Sequence, residues 1–244
     1  MRGGILIIGS LLWHPERDAW RKSRLMLDQA VSVKVPIRYG RRSQTWGCCF
    51  TMTFATDGPS GQGALVPCKH PIPDLGALLS EAEELWKAEN RHAESGSIAA
   101  RTGWGCVGFL FRDQAASAPW LREWADVFHN KVASPIPPVD KEGLLSIPWP
   151  AAAVDDSAID LDVVLATATR ADEPRAGADS IADAWIGQDQ GHERYFFKNV
   201  QLGIRTPEDG AIWRRIQEKQ PSWLGEGAYV EAVAVLQGEE TPGV

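Results

Sequence analysis

Apolar residues fall in short runs along this chain, and their spacing alternates between strand-like and helix-like. Gly4 to Ile8 is continuously apolar and stops at Gly9-Ser10, the pattern of a strand buried on both faces. Asp18 to Leu27 reads as a helix, with Arg21-Lys22-Ser23-Arg24 as its solvated face. Val31 to Val35 alternates as a strand and is interrupted by Pro36. Trp46 to Phe54, rich in aromatic residues and Thr, predicts a strand, and Asp57 to Gly61 a loop. A short strand follows over Gly63 to Val66, ending at Pro67. Asp74 to about Arg91 is the clearest helix: Asp74 is a good N-cap, and Leu75, Leu78, Leu79, Ala82, Leu85 and Trp86 make one apolar stripe.

The second half continues with a strand over Trp104 to Phe111 and a helix over Pro119 to Phe128. Ser134 to Pro150 carries Pro135, Pro137, Pro138, Pro148 and Pro150 and reads as a linker or a surface loop. Leu161 to Ala168 predicts a strand. Thr206-Pro207-Glu208-Asp209 opens a helix running to about Gln220, with Thr as cap, Pro at the first position and two acids in the first turn. Tyr229 to Leu236 alternates and predicts a late strand. The order of elements gives an α+β chain with a core over 1–133, a Pro-rich connection over 134–150 and a C-terminal extension over 151–244 packed on that core.

Composition narrows the function classes. The 244 residues are 44% hydrophobic and 23% charged, which is ordinary for a globular chain. With 25 basic and 32 acidic residues the net charge is −7, so neither nucleic acid nor an anionic membrane is drawn to it over distance. The longest apolar run, Gly3 to Trp13, is too short to span a bilayer, and His14-Pro15-Glu16-Arg17 after it does not resemble a leader cleavage site. Four cysteines, at 48, 49, 68 and 106, are too few for a disulfide framework in a chain this long and read as free thiols in a reducing cytoplasm. Cys68-Lys69-His70 and His14 have no zinc spacing, so no metal is expected. The Gly187-to-His192 stretch reads as a polar loop. Phosphate-binding glycine loops and Gly-x-Ser-x-Gly are absent from the sequence. Eleven tryptophans serve a core or a ligand pocket equally well.

Two features carry chemistry. A strand ending in Gly9-Ser10 presents consecutive backbone N–H groups that can cup a carboxylate or carbonyl oxygen. On the 74–91 helix, stepping about 100° per residue from Leu75 places Glu89 at about 320°, inside the apolar stripe. Glu81, Glu83 and Glu84 fall at about 240, 80 and 180°, at its edge or outside it. Burial would raise the Glu89 pKa, as a base working near neutrality requires, unless Arg38 or Arg41 pairs with it.

In order and spacing, Gly9-Ser10-Leu11-Leu12-Trp13, the basic stretch Val35 to Arg42 and Leu85-Trp86-Lys87-Ala88-Glu89 resemble the gamma-glutamylcyclotransferase-like superfamily, its ChaC-like branch included. The resemblance covers residues 4–112. Ile8 stands where that family carries tyrosine, and Trp86 where it carries aspartate. It implies a mixed, partly closed, barrel-like sheet with flanking helices. It also implies release of 5-oxoproline from a small gamma-glutamyl compound, without metal or organic cofactor. Glu89 would be the acid/base, Gly9, Ser10 and Leu11 would hold the glutamyl end, and Arg38 or Arg41 its α-carboxylate. The alternative is a non-catalytic relative that binds a small carboxylate or a protein partner.

Overall fold

A computed structural model describes residues 1–44, 47, 49–113, 118–154, 159–188 and 191–240. Eight strands and seven helices are described. The strands are β1 (Gly3–Ile7), β2 (Val31–Val35), β3 (Ile37–Ser43), β4 (Cys49–Phe54), β5 (Gly61–Pro67), β6 (Gly105–Phe111), β7 (Ala151–Ala152) and β8 (Val163–Thr169). The helices are α1 (Asp18–Arg24), α2 (Leu75–Glu89), α3 (Ala118–Lys131), α4 (Ala178–Ile186), α5 (Arg194–Gln201), α6 (Asp209–Lys219) and α7 (Val230–Glu240). Thr45, Trp46 and Cys48 lie outside the described residues, so the predicted strand is described from Cys49 onward. Asp189 and Gln190 of the predicted polar loop also lie outside them.

Six strands form one sheet in the order β6-β8-β1-β5-β2-β7. The β1–β8 pair is parallel and the others antiparallel, which makes the sheet mixed. β3 and β4 form a separate antiparallel hairpin. Among the described residues the sheet ends at β6 on one side and β7 on the other, so it is open rather than closed into the expected barrel-like form. Pro36 explains the break: it removes a ladder donor between β2 and β3, and β3 leaves the main sheet to pair with β4.

The centre of the sheet is its most buried part. Every residue of β1 and β8 is buried, as the unbroken apolar run of β1 requires. β8 lies between β6 and β1, so the stretch beyond Pro150, expected as an extension, supplies a central strand. The Pro-rich stretch before it is no free linker, because Ile136, Val139, Leu145 and Ile147 are all in the core.

α2 forms as its spacing predicts. The Asp74 carboxylate accepts from the Ala77 amide at 2.8 Å, closing the first turn. Leu78, Ala82, Leu85 and Trp86 are fully buried. The helix persists through Glu89 and is capped at Asn90. Glu81, placed at the edge of the stripe by spacing, is in fact buried and paired with Arg24 at 3.2 Å, because α1 covers that edge.

The expected strand over Tyr229 to Leu236 is a helix. Alternation would put Val230 and Ala232 on one face, yet Val230 is 57% exposed and Ala232 1%. The buried positions Ala232, Val233 and Leu236 follow helical spacing, and this face packs on α5 and α6. Ahead of α6, the Thr206 hydroxyl donates to the Asp209 carboxylate at 2.5 Å, and the helix proper starts at Asp209. Among the described residues no helix is long and apolar enough to cross a membrane.

Candidate active site

A cavity of about 410 Å³ opens between the sheet and the β3–β4 hairpin. β1 and the turn after it line one side with Leu6, Ile8, Gly9, Ser10 and Leu11. β8 contributes Thr167 and Thr169, the hairpin Arg41, Ser43, Thr51 and Met52, and the end of α2 Glu89. Tyr195 of α5 completes the wall. Residues far apart in sequence therefore meet because β1 and β8 are neighbours and the hairpin folds over them.

The turn is a single tight 3-10 loop over Ser10–Leu12. Its hydrogen bonds begin with the Leu12 amide, which donates to the Gly9 carbonyl at 3.1 Å. The Ser10 and Leu11 amides come before this first bond and have no acceptor within the turn. Arg21 fixes the outer side of this loop: its Nη1 donates to the Leu11 carbonyl at 2.9 Å and to the His14 carbonyl at 3.0 Å. The expected solvated basic face is thus divided. Arg21 is buried under the turn, Arg24 is tied to Glu81, and Lys22 remains exposed.

Glu89 is part-buried, at the end of α2, and opens on the cavity. Burial pushes its pKa above the ordinary 4.5, and this outweighs the opposing effect of Arg41, Arg17 and a hydrogen bond with the Thr167 side chain. Among the described residues no cation lies within ion-pair distance of it, so the pairing weighed for Arg41 is a field effect at longer range. The Arg41 guanidinium lies 4.4 Å above the Trp104 ring, which holds it over an aromatic face at the cavity wall.

Of the expected site residues, Gly9, Ser10, Leu11, Arg41 and Glu89 come together. Arg38 does not. A bulge between Tyr39 and Arg41 sets Arg38 opposite Thr53 and Arg41 opposite Thr51. The two arginines are displaced along the hairpin by about 7 Å, two strand residues. Arg38 ends in a separate recess, paired with Asp57 at 2.8 Å and donating to the Pro174 carbonyl at 3.1 Å.

Sequence reasoning passed over Tyr195, Thr167, Arg17 and the Asn90-Arg91-His92 segment, all of which line the cavity. The last three directly follow Glu89 in the sequence. Thr167 and Thr169 stand two apart on a strand and so share a face. Tyr195 carries no local signal. The Met52 amide donates to its hydroxyl at 3.1 Å, and the Asn199 side chain bonds it as well. Asn199 is held in turn by the Trp13 indole at 2.8 Å, which links the 10–14 turn to α5.

No protein-family model matches this chain, and neither a curated protein nor a solved structure matches it.

Proposed function

We propose that this chain releases 5-oxoproline from a small gamma-glutamyl compound. The observation that carries the reading is the meeting of Glu89, the Gly9-Ser10-Leu11 turn and Arg41 around one cavity. Helical spacing singles out Glu89 and the strand end singles out the turn, whereas Arg41 is offered, with Arg38, by the family resemblance.

The reaction is a cyclisation. The substrate's α-amine attacks its own γ-carbonyl carbon, a C–N bond forms to close the five-membered ring, and the original amide C–N bond breaks. An ammonium cannot attack, so the Glu89 carboxylate takes a proton from it. The same carboxyl then delivers that proton to the departing nitrogen, and the ring nitrogen sheds its second proton as the lactam forms, so that the amine leaves as its ammonium. Enclosure makes this exchange favourable: burial weakens the preference of Glu89 for its ionised form, while Arg17 and Arg41 keep ionisation within reach. The Ser10 and Leu11 amides donate to the carbonyl oxygen as negative charge gathers on it. Arg41, steadied by Trp104, pairs with the α-carboxylate and sets the amine over the carbonyl. Ile8 brings no hydroxyl to this cavity, but Tyr195 brings one against Gly9.

The experiment is a 5-oxoproline release assay with glutathione, gamma-glutamyl dipeptides and gamma-glutamyl amines, run beside Glu89→Gln. Release that falls by about 100-fold or more in Glu89→Gln is expected for loss of an acid/base. The presence of Ile8 and Trp86 at two family positions favours a second reading, a carboxylate-binding protein without turnover. Saturable binding with no product after long incubation would select it.

A further inference from the structure

A second recess, about 350 Å³, lies in the groove between α1 and α2. Ala19, Trp20, Ala88 and the Lys87–Glu84 ion pair (2.6 Å) line it. It adjoins the catalytic cavity, because Glu16, Arg17 and Arg91 line both. These three residues make one chain of charges across the junction. The Arg17 Nη1 lies 3.0 Å from the Glu16 Oε2, and the Arg91 Nη1 lies 3.7 Å from the Glu16 Oε1. One carboxylate therefore already bridges two guanidiniums at the boundary between the spaces.

We infer that Arg17 and Arg91 form a subsite for a carboxylate on the substrate's leaving amine, and that Glu16 is its displaceable stand-in. The inference rests on the cyclisation reading for the identity of the ligand. Three observations support it. First, the position is right: a substrate whose glutamyl end sits between Glu89 and the turn can leave the cavity past these arginines into the groove. Second, the guanidiniums differ usefully. The Arg17 side chain is 17% exposed and so largely fixed, whereas that of Arg91 is 62% exposed and can close on a ligand. Third, the plug is weakly held. Glu16 is 51% exposed, and an ion pair in water contributes little, so an incoming carboxylate exchanges for it at small cost. Guanidinium forks suit this exchange because each can bind either carboxylate in the same geometry.

Gamma-glutamylalanine and gamma-glutamylethylamine differ only in that carboxylate. Their binding is measured by calorimetry on the full chain carrying Glu89→Gln, which prevents turnover. The quantity read is the ratio of the two dissociation constants. It is expected to favour gamma-glutamylalanine by about threefold, the scale of one part-exposed ion pair. Adding Arg91→Gln should bring the ratio towards one. Adding Glu16→Gln should widen it several-fold, because nothing then has to be displaced. Both substituted residues are exposed enough to leave the fold intact. A ratio near one without further substitution, or one unmoved by either, overturns the subsite. So does failure of both compounds to bind. A preference that follows Arg91 and Glu16 supports the subsite even if the native chain releases no 5-oxoproline, an outcome that overturns only the cyclisation.

Discussion

The Tyr195 hydroxyl fills the space that a side chain at Gly9 would need: a Cβ at residue 9 would lie 2.6 Å from it. Gly9 is in extended backbone, so its dihedral angles alone would admit any residue. Glycine is needed there because α5 delivers a phenol to the end of β1. Gly9→Ala should therefore destabilise the fold by about 1–3 kcal/mol, the usual scale of overpacking, and displace the turn beside Glu89. Tyr195→Phe removes the atom in closest conflict, since the ring carbon behind it is 3.5 Å from the same Cβ position. In the double variant much of the stability lost in Gly9→Ala should return. A cycle of chemical denaturation on the four proteins checks this, and strict additivity of the two effects would refute the contact.

How much of this arrangement can be read without coordinates depends on the range of the interactions. α2 and the inward aim of Glu89 follow from a cap and a 3.6-residue period within one segment. The buried first strand and its Gly-Ser end are equally local. Tyr195 and Thr167 reach the cavity only because β8 inserts between β6 and β1, and α5 follows it. No short window of sequence carries that pairing. The sequence of α7 alternates Val and Ala and so fits a strand period, while its burial follows the packing on α5. Arg21 looked solvated because its partners are backbone carbonyls, which no side-chain pattern reveals.

Arg21 supports the turn from behind without lining the cavity, so its loss should act through geometry. Arg21→Met keeps much of the buried stem but leaves the Leu11 carbonyl without its donor, at a cost of about 1–3 kcal/mol. Arg21→Lys retains the charge but not the planar guanidinium whose Nη1 is held between the Leu11 and His14 carbonyls. If the proposed reaction is right, both variants should lower kcat for 5-oxoproline release more than they raise KM, because the turn amides act most strongly on the developing charge. Thermal melts run alongside give the structural share of the effect. Turnover that stays at the native level while the melting temperature falls would show that the turn does not contribute to the reaction.

Glu89 gives opposite predictions for stability and activity. Burial raises its folded pKa above the ordinary 4.5, so the folded chain binds this proton more tightly than the unfolded chain does. Below the unfolded value the carboxyl is neutral in both states and there is no penalty. As pH rises through the folded value, the buried group must ionise, and stability is lost. Glu89→Gln removes that loss while keeping the size of the side chain. It should melt higher than the native chain at neutral pH, by an amount on the order of a few degrees, and the difference should close as pH falls below 4.5. If the proposed reaction is right, activity moves the other way with protonation, since a base must be ionised to take a proton. The acid limb of the native pH–rate profile should therefore be centred above 4.5, and Glu89→Gln should have no such limb. Melting curves from about pH 4 to pH 8 test the first half directly, across the span where a raised carboxyl titrates. Equal melting temperatures for the two proteins across the whole range would mean that Glu89 is well solvated when folded, and would remove the physical basis for assigning it the proton transfer.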